Sequence, residues 1–433
     1  MRYHRRNKKR SLRSYVMIGG RIVCGLAAAL ALGLAIPADA QLPVDLPDLP
    51  TGRVDDVLRD RIDRTRDQVD ELREDVEDTR RETLDTLLRQ NPDVLERGPD
   101  RSVIVRNQIT VLAESRSALG LVLGQGFALV RDRPLPGLGL SLFVLEAPPG
   151  LSTRRALDLA RRIDPGGLYD FNHIYTRSGH AAALVSAQSA PRHLRVGLVD
   201  TGVEPGHPAL AGFRVSTRAF HGAAYLPAAH GTAVASLIGG GYLYSADIYG
   251  DGPTGGSLDA LVAALGWMSE QGVAVVNVSL VGPENRLLER VVSLLLSRGH
   301  IVVAAVGNDG PSARPLYPAA YDGVTGVTGI GERGRILPEA GRGDHVDFAA
   351  PGAFPRAARA SGGYGPVRGT SYAAPLVAAM LASRLDRPDP AAARRALDSL
   401  RAEARDAGRR GRDNTYGHGV VGEATFRTAA SGN

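Results

Sequence analysis

Four residues far apart in the chain carry the side chains that nucleophilic acyl transfer needs. Asp200 closes the apolar run in "RVGLVD", His230 opens "HGTAVASLIGG", Asn308 follows the run in "IVVAAVGNDG", and Ser371 stands in "RGTSYAAPLVA". A serine hydroxyl is a weak nucleophile until a base takes its proton. Imidazole is the ordinary base, and a carboxylate fixes its tautomer and steadies the imidazolium. The tetrahedral oxyanion needs donors already aimed at it, which an asparagine amide and a backbone N–H at a helix start supply. Each residue alone has a plainer explanation: Ser371 as a helix N-cap, Asp200 as an Asx turn or cap, His230 as a structural histidine, Asn308 as a turn residue among glycines. Together they supply one of each required group, all at strand ends or helix starts.

The elements around them point the same way. From Leu194 onward, short continuous apolar runs such as "RVGLVD", "VAVVNVSL" and "HIVVAAVGN" alternate with helical segments such as "LDALVAALGWM" and "LLERVVSLLLSRG". Strands apolar throughout are buried on both faces, which predicts a mostly parallel sheet with helices on each side. Such sheets react at the carboxyl ends of their strands. The run Ala373 to Ala382 predicts a buried helix with Pro375 tolerated in its first turn. Ser371 then sits at the helix start, beside free N–H groups and the positive end of the dipole.

Five stretches, in order, resemble the subtilisin-like serine proteases: "VGLVDTGVEPGHP", "HGTAVASLIGG", "VVNVSL", "VVAAVGNDG" and "GTSYAAPLVA". The likeness runs from about Leu194 to Phe426 and includes "DHVDFAAPG" and "YGHGVVG". It implies an α/β class, a subtilisin-like three-layer fold with a mostly parallel sheet. It makes Ser371 the nucleophile, His230 the general base and then acid, Asp200 its orienter, and the Asn308 side chain with the Ser371 N–H the oxyanion hole. Gly255 and Gly256 on one side, and Ser279, Leu280 and Val281 up to Gly282 on the other, would flank an extended peptide as edge strands. Ala304, Ala305 and Gly307 would line the pocket for the residue before the scissile bond. Three positions depart from the family pattern: Leu376 where His usually follows the proline, Val281 where the substrate strand has Gly, and Leu316 where a small residue precedes "YP". The acidic calcium loop of many relatives is not visible, so no metal and no cofactor are expected.

Ahead of this domain (194–428) comes a linker, 179–193, and residues 99–178, read from pattern as a small α+β unit. In element order and position that unit looks like the family's propeptide, which implies an intramolecular inhibitor. Residues 53–98 read as an N-terminal charged helix. Leu58, Ile62, Thr65, Val69, Leu72, Val76, Thr79 and Thr83 form an amphipathic seam suited to packing on another domain or to partner or self-association through residues 53–89. Residues 41–52 are a Pro-rich spacer. Residues 1–40 hold eight Lys or Arg, one acid, the apolar "IVCGLAAALALGLAI" and then "ADA", the layout of a secretory signal peptide. An uncleaved anchor is the other reading.

Of 433 residues the net charge is +6, but residues 1–40 alone carry +7, so the remainder is near neutral. Composition therefore gives no case for a nucleic-acid partner. The single cysteine, Cys24, lies inside the signal, which leaves the exported chain without thiol chemistry. The expectation is an exported, periplasmic or secreted, serine endopeptidase made as an autoinhibited precursor and acting on protein or peptide substrates. The competing readings are a non-catalytic or weakly active peptide-binding scaffold recruited through the N-terminal helix, and a serine esterase.

Overall fold

The computed structural model describes residues 80–422 apart from 81, 178–179, 182–193, 332 and 361. The signal segment, the spacer, residues 53–79 of the charged helix, most of the linker and residues 423–433 lie outside the described residues. Those described belong to one compact unit spanning Ile62–Asn433.

Helix α1 (82–90, with Arg80 in the same helical conformation) is followed by β1 (Leu95–Arg97), β2 (Val103–Ala113), a short helix α2 (Gly120–Leu123), β3 (Ala128–Leu135), β4 (Leu140–Glu146), α3 (Thr153–Ile163) and β5 (Leu168–His173). These strands form one antiparallel sheet in the order β1-β2-β4-β3, with β5 also on β2. The sequence pattern gives 53–98 to the charged-helix segment, with the helical run itself reaching about Arg89 and "NPDVLERGPD" ending it. The structure ends the helix at residue 90, as that pattern has it, and gives Leu95–Arg97 to the sheet, where it pairs with Val103–Val105. "NPD" explains the break, since proline and the turn residues around it stop the helical ladder. Successive residues of β4 face opposite ways, as strand geometry requires. Phe143 and Leu145 pack with Ala156, Leu157 and Ala160 of α3, whereas Leu142 joins the core shared with the larger sheet.

After β6 (Thr176–Arg177) and β7 (His180–Ala181) the chain enters that larger sheet through β8 (Arg195–Asp200), β9 (Phe213–Ala219), α4 (Ala229–Ile238) and β10 (Gly241–Asp247). It continues through α5 (Leu258–Glu270), β11 (Val275–Val278), β12 (Leu280–Val281), α6 (Arg286–Ser297), β13 (Ile301–Ala305), β14 (Thr325–Ile330) and β15 (Phe348–Pro351). A hairpin of β16 (Ala353–Ala358) and β17 (Tyr364–Arg368), then α7 (Thr370–Ala382) and α8 (Pro390–Glu403), complete the described order. Seven strands pair in the order β15-β14-β13-β11-β8-β10-β9, and every pairing is parallel. β11 and β13 are buried at every residue, which is why they read as unbroken apolar runs. α4, α7 and α8 share one core with Val196, Leu198 and Val303. α5 and α6 share the other with Val199, Val276 and Val302. The result is a three-layer α/β fold with the carboxyl ends of β8, β11 and β13 at one edge.

Candidate active site

Asp200 is the last residue of β8 and fully buried. Both its oxygens face His230 Nδ1, at 2.8 and 2.9 Å. A carboxylate only accepts, so the proton lies on Nδ1 and Nε2 is left as the basic nitrogen. The positioning begins one residue later. Thr201 N–H donates to Asp200 Oδ1 at 2.6 Å, and Thr201 Oγ1 accepts from Gly231 N–H at 2.8 Å. The N-cap of α4, Ala228, has no side chain able to do this, so Thr201 satisfies one of the helix's unpaired donors from outside. The approach requires glycine: a Cβ on Gly231 would lie 2.2 Å from the Thr201 carbonyl oxygen. This is the physical content of "HG".

Three consecutive residues at the start of α7 hold the rest. Thr370 N–H donates to Asn308 Oδ1 at 2.9 Å, and Thr370 Oγ1 accepts from Gly307 N–H at 3.2 Å. The first bond assigns the amide, because only the oxygen can face an N–H, and turns Nδ2 the other way. Ser371 Oγ donates to the Ser279 carbonyl at 3.3 Å. Tyr372 places its ring 5.5 Å from the His230 ring, centroid to centroid. All four sequence-picked residues therefore meet around one helix start.

α7 begins at Thr370, three residues earlier than the apolar run suggests, and Pro375 falls in its second turn rather than its first. A proline there removes the N–H that would pair with the carbonyl of Ser371. Ser279 Oγ donates to that carbonyl instead, at 3.0 Å, and Asn277 Nδ2 donates to Ser279 Oγ at 2.8 Å. Ser279 entered the sequence reading as a peptide-binding residue. Its hydroxyl also braces the helix that carries Ser371.

The chain's own residues 174–177 lie between the two segments expected to flank a peptide. β6 pairs antiparallel with β12, Thr176 opposite Val281 and Arg177 opposite Leu280. On the other side Tyr175 N–H donates to the Gly256 carbonyl at 2.8 Å, and Ile174 bridges to Ser257. Beyond Gly179 the chain pairs again, His180 opposite Arg368 and Ala181 opposite Val367. Tyr175 is fully buried, its hydroxyl donating to the Pro283 carbonyl at 3.2 Å, and burial pushes its pKa well above the ordinary tyrosine value. Only glycine fits beside it at 282, where a Cβ would meet the ring at 2.1 Å. Ala304 and Ala305 end β13, fully buried. Leu316 and Val281 close over Gly307: a Cβ there would lie 2.7 Å from Leu316 Cδ1 and 3.6 Å from Val281 Cγ1. Both departures from the family pattern thus fall at one wall. Gly255 sits in the tight turn ahead of Gly256, its N–H on the Gly252 carbonyl at 3.1 Å.

The model of the subtilase family matches residues 192–419, more than half of the chain. The chain belongs to the subtilase family. Among characterised subtilases, it is 30% identical over 244 residues to the minor extracellular protease Epr of Bacillus subtilis (strain 168), covering 53% of this chain and 38% of that one. It is 31% identical over 201 residues to thermitase of Thermoactinomyces vulgaris, covering 42% and 72%. The chain spans 57% of the length of subtilisin E of Bacillus subtilis. Fervidolysin from Fervidobacterium pennivorans shares the fold, with a TM-score of 0.63 at 20% identity, over 75% of this chain and 61% of that one.

Thr201 and Thr370 escaped the sequence reading although each touches a candidate site residue, as did Pro283, whose carbonyl holds Tyr175 of the tail. Threonine after Asp200 and before Ser371 was visible inside the motifs, but its hydrogen bond goes to an element far away in sequence.

Proposed function

We propose that this subtilase is an exported serine endopeptidase, made as a precursor inhibited by its own N-terminal sheet. What carries the reading is the pairing of residues 174–177 and 180–181 on either side of the start of α7, which carries Ser371 and sets Tyr372 against the Asp200-bound ring of His230. In the proposed reaction His230 Nε2 takes the Ser371 Oγ proton as Oγ bonds to the substrate carbonyl carbon. The oxyanion lies between Asn308 Nδ2 and the Ser371 N–H. The imidazolium then gives its proton to the leaving amine, and water, activated by the same nitrogen, hydrolyses the acyl-enzyme. Asp200 accepts the Nδ1–H hydrogen bond throughout.

The chain arrives along Leu280–Val281 and departs along Val367–Arg368, so the two residues between those pairings are Ser178 and Gly179. We take the bond joining them as the one cut on maturation. That makes residues 80–178 the inhibitor, with a serine as the residue before the scissile bond. A small residue suits the wall of Val281 and Leu316. Export rests on residues 1–40, and the name of the Bacillus relative Epr places that protein outside its cell.

A fluorophosphonate probe tests the assignment of Ser371. It should label the processed protein stoichiometrically, and Ser371→Ala should abolish labelling. Ser371→Ala and His230→Ala should each lower kcat by about 10⁴-fold or more, and Asn308→Ala by roughly 10²–10³-fold. Peptidase activity surviving in purified Ser371→Ala would remove the assignment.

A further inference from the structure

We propose that α1, which precedes the inhibitory sheet, is a second inhibitory element, and that Arg80 is the catch that holds the cleft-bound tail in place. The proposal rests on the precursor reading above. Leu84, Leu87 and Leu88 pack on Leu95, Val103, Val105 and Ile174, so the apolar face of α1 covers the first residue of the tail in the cleft. At the start of the helix Arg80 Nε donates to Thr176 Oγ1 at 2.9 Å, and Nη1 pairs with Asp309 Oδ2 at 2.6 Å. Thr176 belongs to the tail and pairs with Val281. Asp309 follows Asn308 in the loop at the end of β13. One guanidinium thus joins the inhibitor to the enzyme's oxyanion loop, outside the strand pairing.

The fork geometry of arginine lets separate N–H groups address the hydroxyl and the carboxylate at once, which a lysine ammonium does less well. Both partners are largely sheltered, with side chains 20% and 17% exposed, so the pair is screened less than a surface ion pair. Cutting at 178–179 leaves α1, the sheet and the tail as one piece still docked. Its departure requires the β6–β12 pairing, the Tyr175 pocket and the Arg80 contacts to break together. Arg80 therefore acts on the lifetime of the inhibited complex, while the cut itself depends on the pairings on either side of Ser178–Gly179. The charged helix belongs to the inhibitor at this end.

The test uses the full chain. From residue 179 onward the mature enzyme from Arg80→Ala is identical to wild type, so any difference between them arises in the inhibited complex. Arg80→Ala should leave the rate of the 178–179 cut within about twofold and shorten the lag before peptidase activity emerges by roughly five- to tenfold, the scale of one partly exposed hydrogen bond. Arg80→Lys should fall between. An independent readout needs no proteolysis. In the uncut Ser371→Ala chain, exchange of the Tyr175 amide should be about fivefold faster with Arg80→Ala, while β8 and β13 amides are unchanged. An unaltered lag, a slowed cut with the same lag, or unaltered Tyr175 exchange would each overturn the proposal. Failure of the wild-type chain to cut at all would count against the proteolytic reading, and the exchange experiment would still decide the role of Arg80.

Discussion

The carbonyl oxygen of Ser371 accepts its hydrogen bond from Ser279 Oγ, at 3.0 Å, in place of the N–H that Pro375 lacks. A proline inside a helix ordinarily costs about 3 kcal/mol, part of it through this orphaned carbonyl. Here the vacancy in the helical ladder is where the residue leading into β12 attaches to α7.

Removing the hydroxyl should show this. Ser279→Ala strands the buried Ser371 carbonyl and should lower stability by about 1–3 kcal/mol. Adding Pro375→Ala restores an N–H to the helix, and the double variant should recover at least about 1 kcal/mol of that loss in a double-mutant cycle. Chemical denaturation measures it, and strict additivity would mean the bond carries no weight.

The pocket before the scissile bond should prefer Ala, Ser, Thr or Val. Leu316 and Val281 both reach toward Gly307, and a methylene of misfit changes discrimination by about 1–3 kcal/mol. Profiling with a peptide library should give higher kcat/KM for Ala than for Phe there, and Val281→Gly with Leu316→Gly should shift preference toward large residues. A wild-type preference for Phe would refute the narrowed wall.

Acid should loosen the inhibitory sheet through His173. Its Nδ1 lies 3.0 Å from Asn285 Nδ2, and the Asn285 oxygen is committed to the Leu287 and Leu288 N–H groups at the start of α6, so Nδ1 must accept. Burial lowers the His173 pKa below 6.5, against the opposing pull of Asp170 and Asp100. A lowered histidine pKa means the released state binds the proton first. Docking is therefore strongest above pH about 6.5 and weakens as pH falls from there to the depressed value. Asp259 is different: burial would raise its pKa, but Arg131 and Arg133 hold it below the ordinary value of 3.8, so its contribution is lost only at lower pH still. Between pH 7.5 and 5.5 the melting temperature of the uncut Ser371→Ala chain should fall more than that of the same chain with His173→Gln. Equal falls would exclude His173.

The four candidate residues were legible because each stands at an edge of an apolar run, Asp200 and Asn308 where a strand stops and His230 and Ser371 where a helix starts, and the strand runs were apolar because β8, β11 and β13 are buried on both faces. What escaped was held by charge or by main chain alone. β3 contains Arg131, Asp132, Arg133 and Pro134, a stretch with no apolar alternation to mark a strand. It is a strand because it pairs with β4 and because Arg131 and Arg133 reach the buried Asp259 carboxylate, each at 3.0 Å. β6 and β7 have two residues each, too few for any period, and exist only through their partners across the cleft. The early start of α7 follows from a local cap that an apolar run does not record.

The central claim, that Ser371 cuts the chain's own tail where it crosses the cleft, is tested most directly by the N-terminus of the processed protein. Purified full-length chain should be incubated alone and its fragments read by intact-mass and N-terminal sequencing. Wild type should yield a new N-terminus at Gly179 and Ser371→Ala should remain whole. The same fragment from purified Ser371→Ala, or a wild-type chain that stays intact, would contradict it.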